Sequence, residues 1–223
     1  IGAICLHRGE EPVLGGAEGI CNVFFAHCNL RCLYCQNYQI SRNDRREKEW
    51  VLSLPEAVRR IEEVLDRGAR AVGLVSPSHC LPQAVSLIGA LRERGRKGPF
   101  ILNTNGYDRA EGLRSLAGRI DVYLPDLKYL DPALARSYSG ARDYPEAARA
   151  ALKEMYRQKG DALELDEGGR ARSGLIVRHL VLPGAVENSK RCLRFIARSL
   201  SPKVHLSLMS QYHPTQHVAG PPL

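Results

Sequence analysis

The sequence predicts an α/β fold: a partial, split (β/α)6 TIM-like barrel formed as a single domain over residues 1–223. Three observations carry this expectation. Short, continuously apolar runs alternate with amphipathic runs of helical period, the pattern of a parallel sheet covered by helices. Several helical runs open on a capping residue or close on glycine. The chain is long enough for one sizeable core, yet its six or so βα units fall short of the eight in a closed barrel.

Residues 1–19 show no clear period and carry three glycines near their end, so they read as a leading segment laid over the barrel. The first strand is expected at 20–25, and it delivers the loop FFAHCNLRCLYCQN at 24–37. A charged connector covers 42–50. Ser53 is placed to cap the next helix, and Glu56 to close a capping box with it. Ala57, Val58, Ile61, Val64 and Leu65 then recur at helical spacing until Gly68 stops the run. A strand is expected at 71–75 and a helix at 81–94, with Val85, Ile88 and Leu91 inward and Gly95 at its end. A strand at 100–103, a short helix at 109–116 and a strand at 121–125 follow. Residues 145–158 form a helix with Ala148, Ala151, Leu152 and Met155 on one stripe. Residues 161–172 are a polar excursion with a tight turn at Glu167-Gly168-Gly169. A strand at 175–182, a helix at 190–200 and a strand at 204–209 complete the pattern.

Composition excludes some classes. With 44% hydrophobic and 25% charged residues the chain is of globular type. No apolar run approaches the roughly 18 residues of a membrane span. The net charge of +8 comes from 32 Lys and Arg against 24 Asp and Glu, with basic runs at 42–48, 59–60 and 92–97. Aromatics are only 6%, and most of these arginines fall on polar faces or ends of expected helices. That placement favours solvated surface, so nucleic acid is not an expected partner, and without an apolar span neither is a membrane. Seven cysteines, three of them gathered at one place, fit a reducing cytoplasm.

Those three, Cys28, Cys32 and Cys35, have the spacing C-x3-C-x2-C. A structural zinc site takes four ligands, and plain ferredoxin clusters use four cysteines at other spacings. Three cysteines on a four-iron cubane would leave one iron open to chemistry. Parallel α/β folds place their chemistry at the C-terminal ends of strands. Here the first strand leads to the cysteines, the second to Ser76-Pro77-Ser78-His79, and the third to Asn103-Thr104-Asn105-Gly106. The fourth leads to Pro125-Asp126-Leu127-Lys128; Arg178 lies in the fifth, and Gln211-Tyr212-His213 follows the sixth. Donors, acceptors and both signs of charge converge there, as a zwitterionic ligand requires. Arg178 in an apolar strand needs a carboxylate partner, from protein or ligand. Asp126 and Lys128 can alternatively be read as an exposed ion pair of little consequence.

With Tyr34 directly before the last cysteine, the motif resembles the radical S-adenosylmethionine signature. The strings LVSPSHCLPQA, NTNGY, YLPDLKYLDP, SYSGARDYPEAA, GLIVRHLVLPG and SLMSQYHP extend the resemblance over nearly the whole chain. They are similar to the pyruvate formate-lyase activating enzyme group, in its uncharacterised paralogous branch. This resemblance implies a radical SAM core and a 4Fe-4S cluster on Cys28, Cys32 and Cys35, whose open iron chelates S-adenosylmethionine. It implies an electron donor such as flavodoxin or ferredoxin. One-electron reduction then releases a deoxyadenosyl radical for hydrogen abstraction, in activases from a glycine of a partner protein. The resemblance places Asn103 and Asp126 beside the methionine carboxylate and His213 near the ribose; the residues themselves add Tyr34 on the adenine side, Ser76 or Ser78 near the amino group, Lys128 and Arg178 as candidate cofactor contacts. No residue of the chain is assigned as a catalytic acid, base or nucleophile. Two departures stand out: Ser76–His79 replaces a glycine-rich GGE-type segment, and Asn103 replaces the first of two aspartates that the family uses around a cation. Cys5, Cys21, Cys80 and Cys192 are not expected to be ligands. The resemblance also implies native segments beyond both Ile1 and Leu223. Two other readings stay open: radical modification of a peptide, RNA or small molecule, and a non-catalytic iron–sulfur module, which would need a fourth protein ligand.

Overall fold

The computed structural model describes residues 1–42 and 51–215. The connector and basic run expected from residue 42 onward lie outside the described residues, apart from Arg42. The first finding is a correction. The leading segment holds an edge strand, β1 (Ala3–His7), and a short helix, α1 (Pro12–Gly15). β1 pairs antiparallel with β2 (Ile20–Phe24), His7 opposite Ile20. Its side chains are mostly half-exposed rather than cleanly alternating, so the period-2 signal of a strand is absent from its sequence.

β2 then begins the parallel series with β3 (Val72–Val75), β4 (Phe100–Thr104) and β5 (Val122–Pro125), each aligned with the next. β6 (Glu164–Leu165) is a two-residue strand lying antiparallel on the start of β7 (Ala171–Leu180). β8 (His205–Met209) runs parallel to β7 along its second half. Six parallel strands therefore run from β2 to β8, with β1 added at one edge. The pairing of β5 with β7 covers only Val122–Gly174 and Tyr123–Leu175 before the strands separate, meeting again at Asp126 and Arg178. β3 and β5 are buried along their whole length, as strands covered on both faces must be.

The helices are α2 (Tyr38–Ser41), α3 (Leu54–Asp66), α4 (Leu81–Glu93), α5 (Ala110–Ser115), α6 (Pro132–Ser139), α7 (Tyr144–Lys159) and α8 (Val186–Phe195). α8 runs into a π-helical turn over Ile196–Leu200 and starts four residues before the expected 190. Ser53 caps α3 by accepting from the Glu56 amide at 3.4 Å, but the Glu56 carboxylate turns to Arg59 and Arg60. Ala57, Val58, Ile61 and Val64 of α3 are buried, each large aliphatic contributing about 1.5–3 kcal/mol. In α4 the inward residues are Ala84, Leu87, Ile88 and Leu91; Val85 is only half-buried. The α7 stripe Ala148, Ala151, Leu152 and Met155 is fully buried.

The second correction is α6, which falls in a stretch with no expected element. Its signals were local: Asp131 caps it by accepting from Ala133 N and Leu134 N, Pro132 occupies the first turn, and Gly140 closes it in the left-handed conformation. The polar excursion is a hairpin-like turn in which the Asp166 carboxylate accepts from Gly168 N and Arg170 N. The basic runs that are described are paired within the surface: Arg59 and Arg60 with Glu56, and Arg94 and Arg96 with Glu62. Among the described residues, no helix is long and apolar enough to cross a membrane.

Candidate functional site

The C-terminal ends of the parallel strands surround a cavity of about 400 Å³. Cys28, Cys32, Tyr34, Cys35, Ser76, Asn103, Asp126, Lys128, Arg178 and His213 all line it. Ser78 does not: its hydroxyl lies 3.4 Å from Thr104 Oγ1, beside the buried Asp108. His79 also turns away, with Nε2 2.8 Å from the Ala26 carbonyl. Cys21 and Cys192 are in the core, Cys5 is exposed on β1, and Cys80 precedes α4; none of these four lines the cavity. Two residues beside it hold left-handed backbone conformations unusual outside glycine, His27 (φ 67) and Ser76 (φ 54).

The cysteine loop is fixed from below by α6. Arg31 N donates to the Ser139 carbonyl at 3.0 Å and Leu33 N to the Tyr138 carbonyl at 2.9 Å, so the loop satisfies carbonyls of the helix's last turn. Each cysteine sulfur faces polar hydrogens. Cys28 accepts from Leu30 N (3.4 Å) and Asn105 Nδ2 (3.3 Å). Cys32 Sγ lies 2.9 Å from Ser139 Oγ, and Cys35 Sγ lies 3.2 Å from Ser41 Oγ. Burial pushes the Cys28 thiol up and the Cys32 thiol to about 11, so metal must displace protons to bind. The amide and hydroxyl groups beside the sulfurs are able to donate to thiolates, which suits them as ligands. Among the described residues no three His, Cys, Asp or Glu side chains converge on one metal-ion position. A cubane carries its ligands on separate irons, so cysteines around it need not meet at a point. The three cysteines on one cavity wall supply the thiolate donors that iron–sulfur clusters take.

The opposite wall carries a buried charge network. Arg178 Nε donates to Asp126 Oδ1 at 2.9 Å, its Nη2 to Asn103 Oδ1 at 2.6 Å, and its Nη1 approaches Glu10 Oε2 at 3.4 Å. Lys128 Nζ takes the other Asp126 oxygen at 2.6 Å. Glu10 Oε1 accepts from Asn22 Nδ2 and Asn103 Nδ2 at 3.1 and 3.2 Å. The Asp126 and Lys128 side chains are only 19% and 16% exposed, which overturns their reading as an exposed pair. Burial alone would raise Asp126, but Arg178 and Lys128 outweigh it and hold the carboxyl below its ordinary value. Burial would likewise lower Lys128, and Asp126 beside it reverses the sign. Both signs of charge, held rigidly, suit the amino and carboxylate groups of a zwitterion.

Several of these residues were missed from the sequence. Glu10 comes from the leading segment, where nothing marked it. Asn105 was visible only as part of a strand-end motif, and Ser139 and Tyr129 lay in stretches given no role. Tyr34 is a wall of the cavity, but its hydroxyl turns inward to Tyr129 at 2.5 Å and its ring sits edge-on to Tyr212. Residues after β8 close the remaining side: Gln36 donates to the His213 carbonyl at 2.9 Å, and Thr215 to the Leu33 carbonyl.

An uncharacterised protein of Methanocaldococcus jannaschii is 27% identical over 213 residues, covering 94% of this chain. The chain spans 57% of that relative's length. Two crystal structures of SuiB from Streptococcus suis share the fold, one bound to S-adenosylmethionine and one to the precursor peptide SuiA. Each has a TM-score of 0.57 at 16% identity, covering 88% and 87% of this chain and 44% and 42% of theirs. A family model described as the Radical SAM superfamily matches residues 22–162, more than half of the chain and the whole cysteine loop. The chain belongs to the radical SAM superfamily, whose cofactors are a 4Fe-4S cluster and S-adenosylmethionine.

Proposed function

We propose that this chain is a radical SAM enzyme that abstracts hydrogen from a protein or peptide backbone, in the manner of a glycyl-radical activating enzyme. The observation that carries the reading is the shared cavity: three cysteines on one wall, Asp126, Lys128 and Arg178 on the other. Cys28, Cys32 and Cys35 would hold the cluster, and Asp126, Lys128, Arg178 and Asn103 the methionine end of the cofactor. When bound, the pair supplies a one-electron reductive cleavage that yields a deoxyadenosyl radical. The chain's part is to orient the cofactor and to keep the cysteine loop rigid on α6. The motif resemblance over nearly the whole chain supports the activase type. A second reading, modification of a small peptide, is supported by the fold shared with SuiB in its precursor-peptide complex.

Reconstituted enzyme would be incubated with S-adenosylmethionine and proteins labelled with deuterium at glycine Cα. Deuterium in the released deoxyadenosine is the expected result. Unlabelled deoxyadenosine would reject glycine as the donor, and transfer from labelled short peptides alone would favour the second reading.

A further inference from the structure

Behind Cys32 lies a line of buried hydroxyls that the proposed function does not use. Cys32 Sγ is 2.9 Å from Ser139 Oγ, Ser139 Oγ is 2.9 Å from Tyr129 Oη, and Tyr129 Oη is 2.5 Å from Tyr34 Oη. Ser139 is 1% exposed, Tyr129 0% and Tyr34 7%, so water does not compete for these bonds. The line joins three elements: the cysteine loop, the last residue of α6, and the segment after β5.

The direction of the chain follows from counting protons. Each hydroxyl has one hydrogen to give. A cysteine thiolate bound to metal has none, so Ser139 must donate to Cys32, Tyr129 to Ser139 and Tyr34 to Tyr129. All three protons are then used. In the opposite direction the Cys32 thiol would donate to Ser139, and the Tyr34 proton would be left without an acceptor among the described residues. A buried, unsatisfied donor is costly. With Cys32 as the acceptor the hydroxyl line is complete, and a metal-bound thiolate is the stronger acceptor.

We infer that Ser139, polarised by Tyr129 and Tyr34, tunes the reduction potential of the cluster by donating a hydrogen bond to the Cys32 sulfur. This rests on the reading of Cys32 as a cluster ligand. Hydrogen bonds to ligand sulfurs, with burial and net charge, set the potentials of iron–sulfur clusters. Reduction adds negative charge that spreads onto the sulfurs, so a donated hydrogen bond favours the reduced state. Aligned hydroxyls behind the donor strengthen it. Ser41 beside Cys35 is half-exposed, where solvent competes for such a bond, so Ser139, which is buried, carries the larger effect.

The test is a redox titration, followed by EPR, of anaerobically reconstituted wild type, Ser139→Ala and Tyr34→Phe, with iron counted in each. Expected are a midpoint shifted to more negative potential in Ser139→Ala and a smaller shift of the same sign in Tyr34→Phe, at unchanged iron. An unmoved or more positive midpoint in Ser139→Ala at full iron overturns the inference. Should Ser139→Ala fail to hold a cluster, Tyr34→Phe decides, because it leaves the Ser139–Cys32 contact intact; an unmoved midpoint there overturns the inference. A wild type that takes up no iron overturns the cluster reading itself and the tuning with it.

Discussion

Asn103 joins Arg178 to Glu10: its carbonyl oxygen accepts from the guanidinium at 2.6 Å, while its amide nitrogen donates to the Glu10 carboxylate at 3.2 Å. The amide supplies both functions, whereas an ionised carboxylate could only accept. An aspartate, as the resembled activases carry, would set a second carboxylate against Glu10. Glu10 therefore returns to this wall a negative charge that Asn103 removes, and it does so from a different part of the chain. Asn103→Asp is expected to lower stability by about 1–3 kcal/mol, from the lost hydrogen bond and the new repulsion. Urea unfolding measures it, and a variant as stable as wild type would contradict the network.

Two buried aspartates should respond to acid in opposite ways. Asp126 is held below its ordinary value of 3.8 because Arg178 and Lys128 outweigh its burial. Its stabilising contribution is present above pH 3.8 and is lost as pH falls through the depressed native value. The stability gap between wild type and Asp126→Asn should therefore close in acid. Asp108 is pushed up by burial, against hydrogen bonds from Ser78 and Thr104. Its ionisation destabilises the fold as pH rises above 3.8, so Asp108→Asn should gain stability over wild type at neutral pH and not in strong acid. Urea midpoints across pH test both signs.

Gly106 supports the site by being small. It sits at φ 79, and a Cβ there would lie 2.2 Å from the Asp126 carbonyl oxygen and 3.0 Å from the Tyr144 hydroxyl. That hydroxyl accepts from Lys128 N and lies 2.9 Å from both the Asn105 and Asp126 carbonyls, tying the β4 and β5 loops together. Gly106→Ala should displace the Asp126–Lys128 turn, cost about 2 kcal/mol or more, and weaken S-adenosylmethionine binding. Calorimetric titration of the cofactor would show it; wild-type affinity would contradict this packing.

Alanine at Cys28, Cys32 or Cys35 should abolish assembly of an intact cluster, whereas alanine at exposed Cys5 should leave iron content unchanged. The second half addresses the non-catalytic module, which needs a fourth protein ligand, Cys5 being one candidate. Iron and sulfide analysis after reconstitution separates them.

The legible parts of the fold were those with strong periodicity. The buried strands and the stripes of α3 and α7 announce themselves because burial on one or both faces dictates residue type. β1 did not, because an edge strand with half-exposed side chains has no alternation to read. α6 was hidden by its eight residues, although Asp131, Pro132 and Gly140 marked both ends. At the site, strand-end residues were legible because parallel sheets put chemistry there. Glu10 and Ser139 were not, since their roles depend on which segments fold back onto the strand ends. Ser78 shows the limit in the other direction: two serines two residues apart looked equivalent, and the turn sends one to the cavity and the other to Asp108.

The most direct test of the central claim is anaerobic. The protein is reconstituted with iron and sulfide, reduced, and given S-adenosylmethionine, and deoxyadenosine is measured against bound iron. Roughly four irons per chain and deoxyadenosine formed only by the reduced protein are expected. A fully loaded, reduced cluster that neither binds nor cleaves the cofactor would contradict the account and leave the chain an iron–sulfur module without radical chemistry.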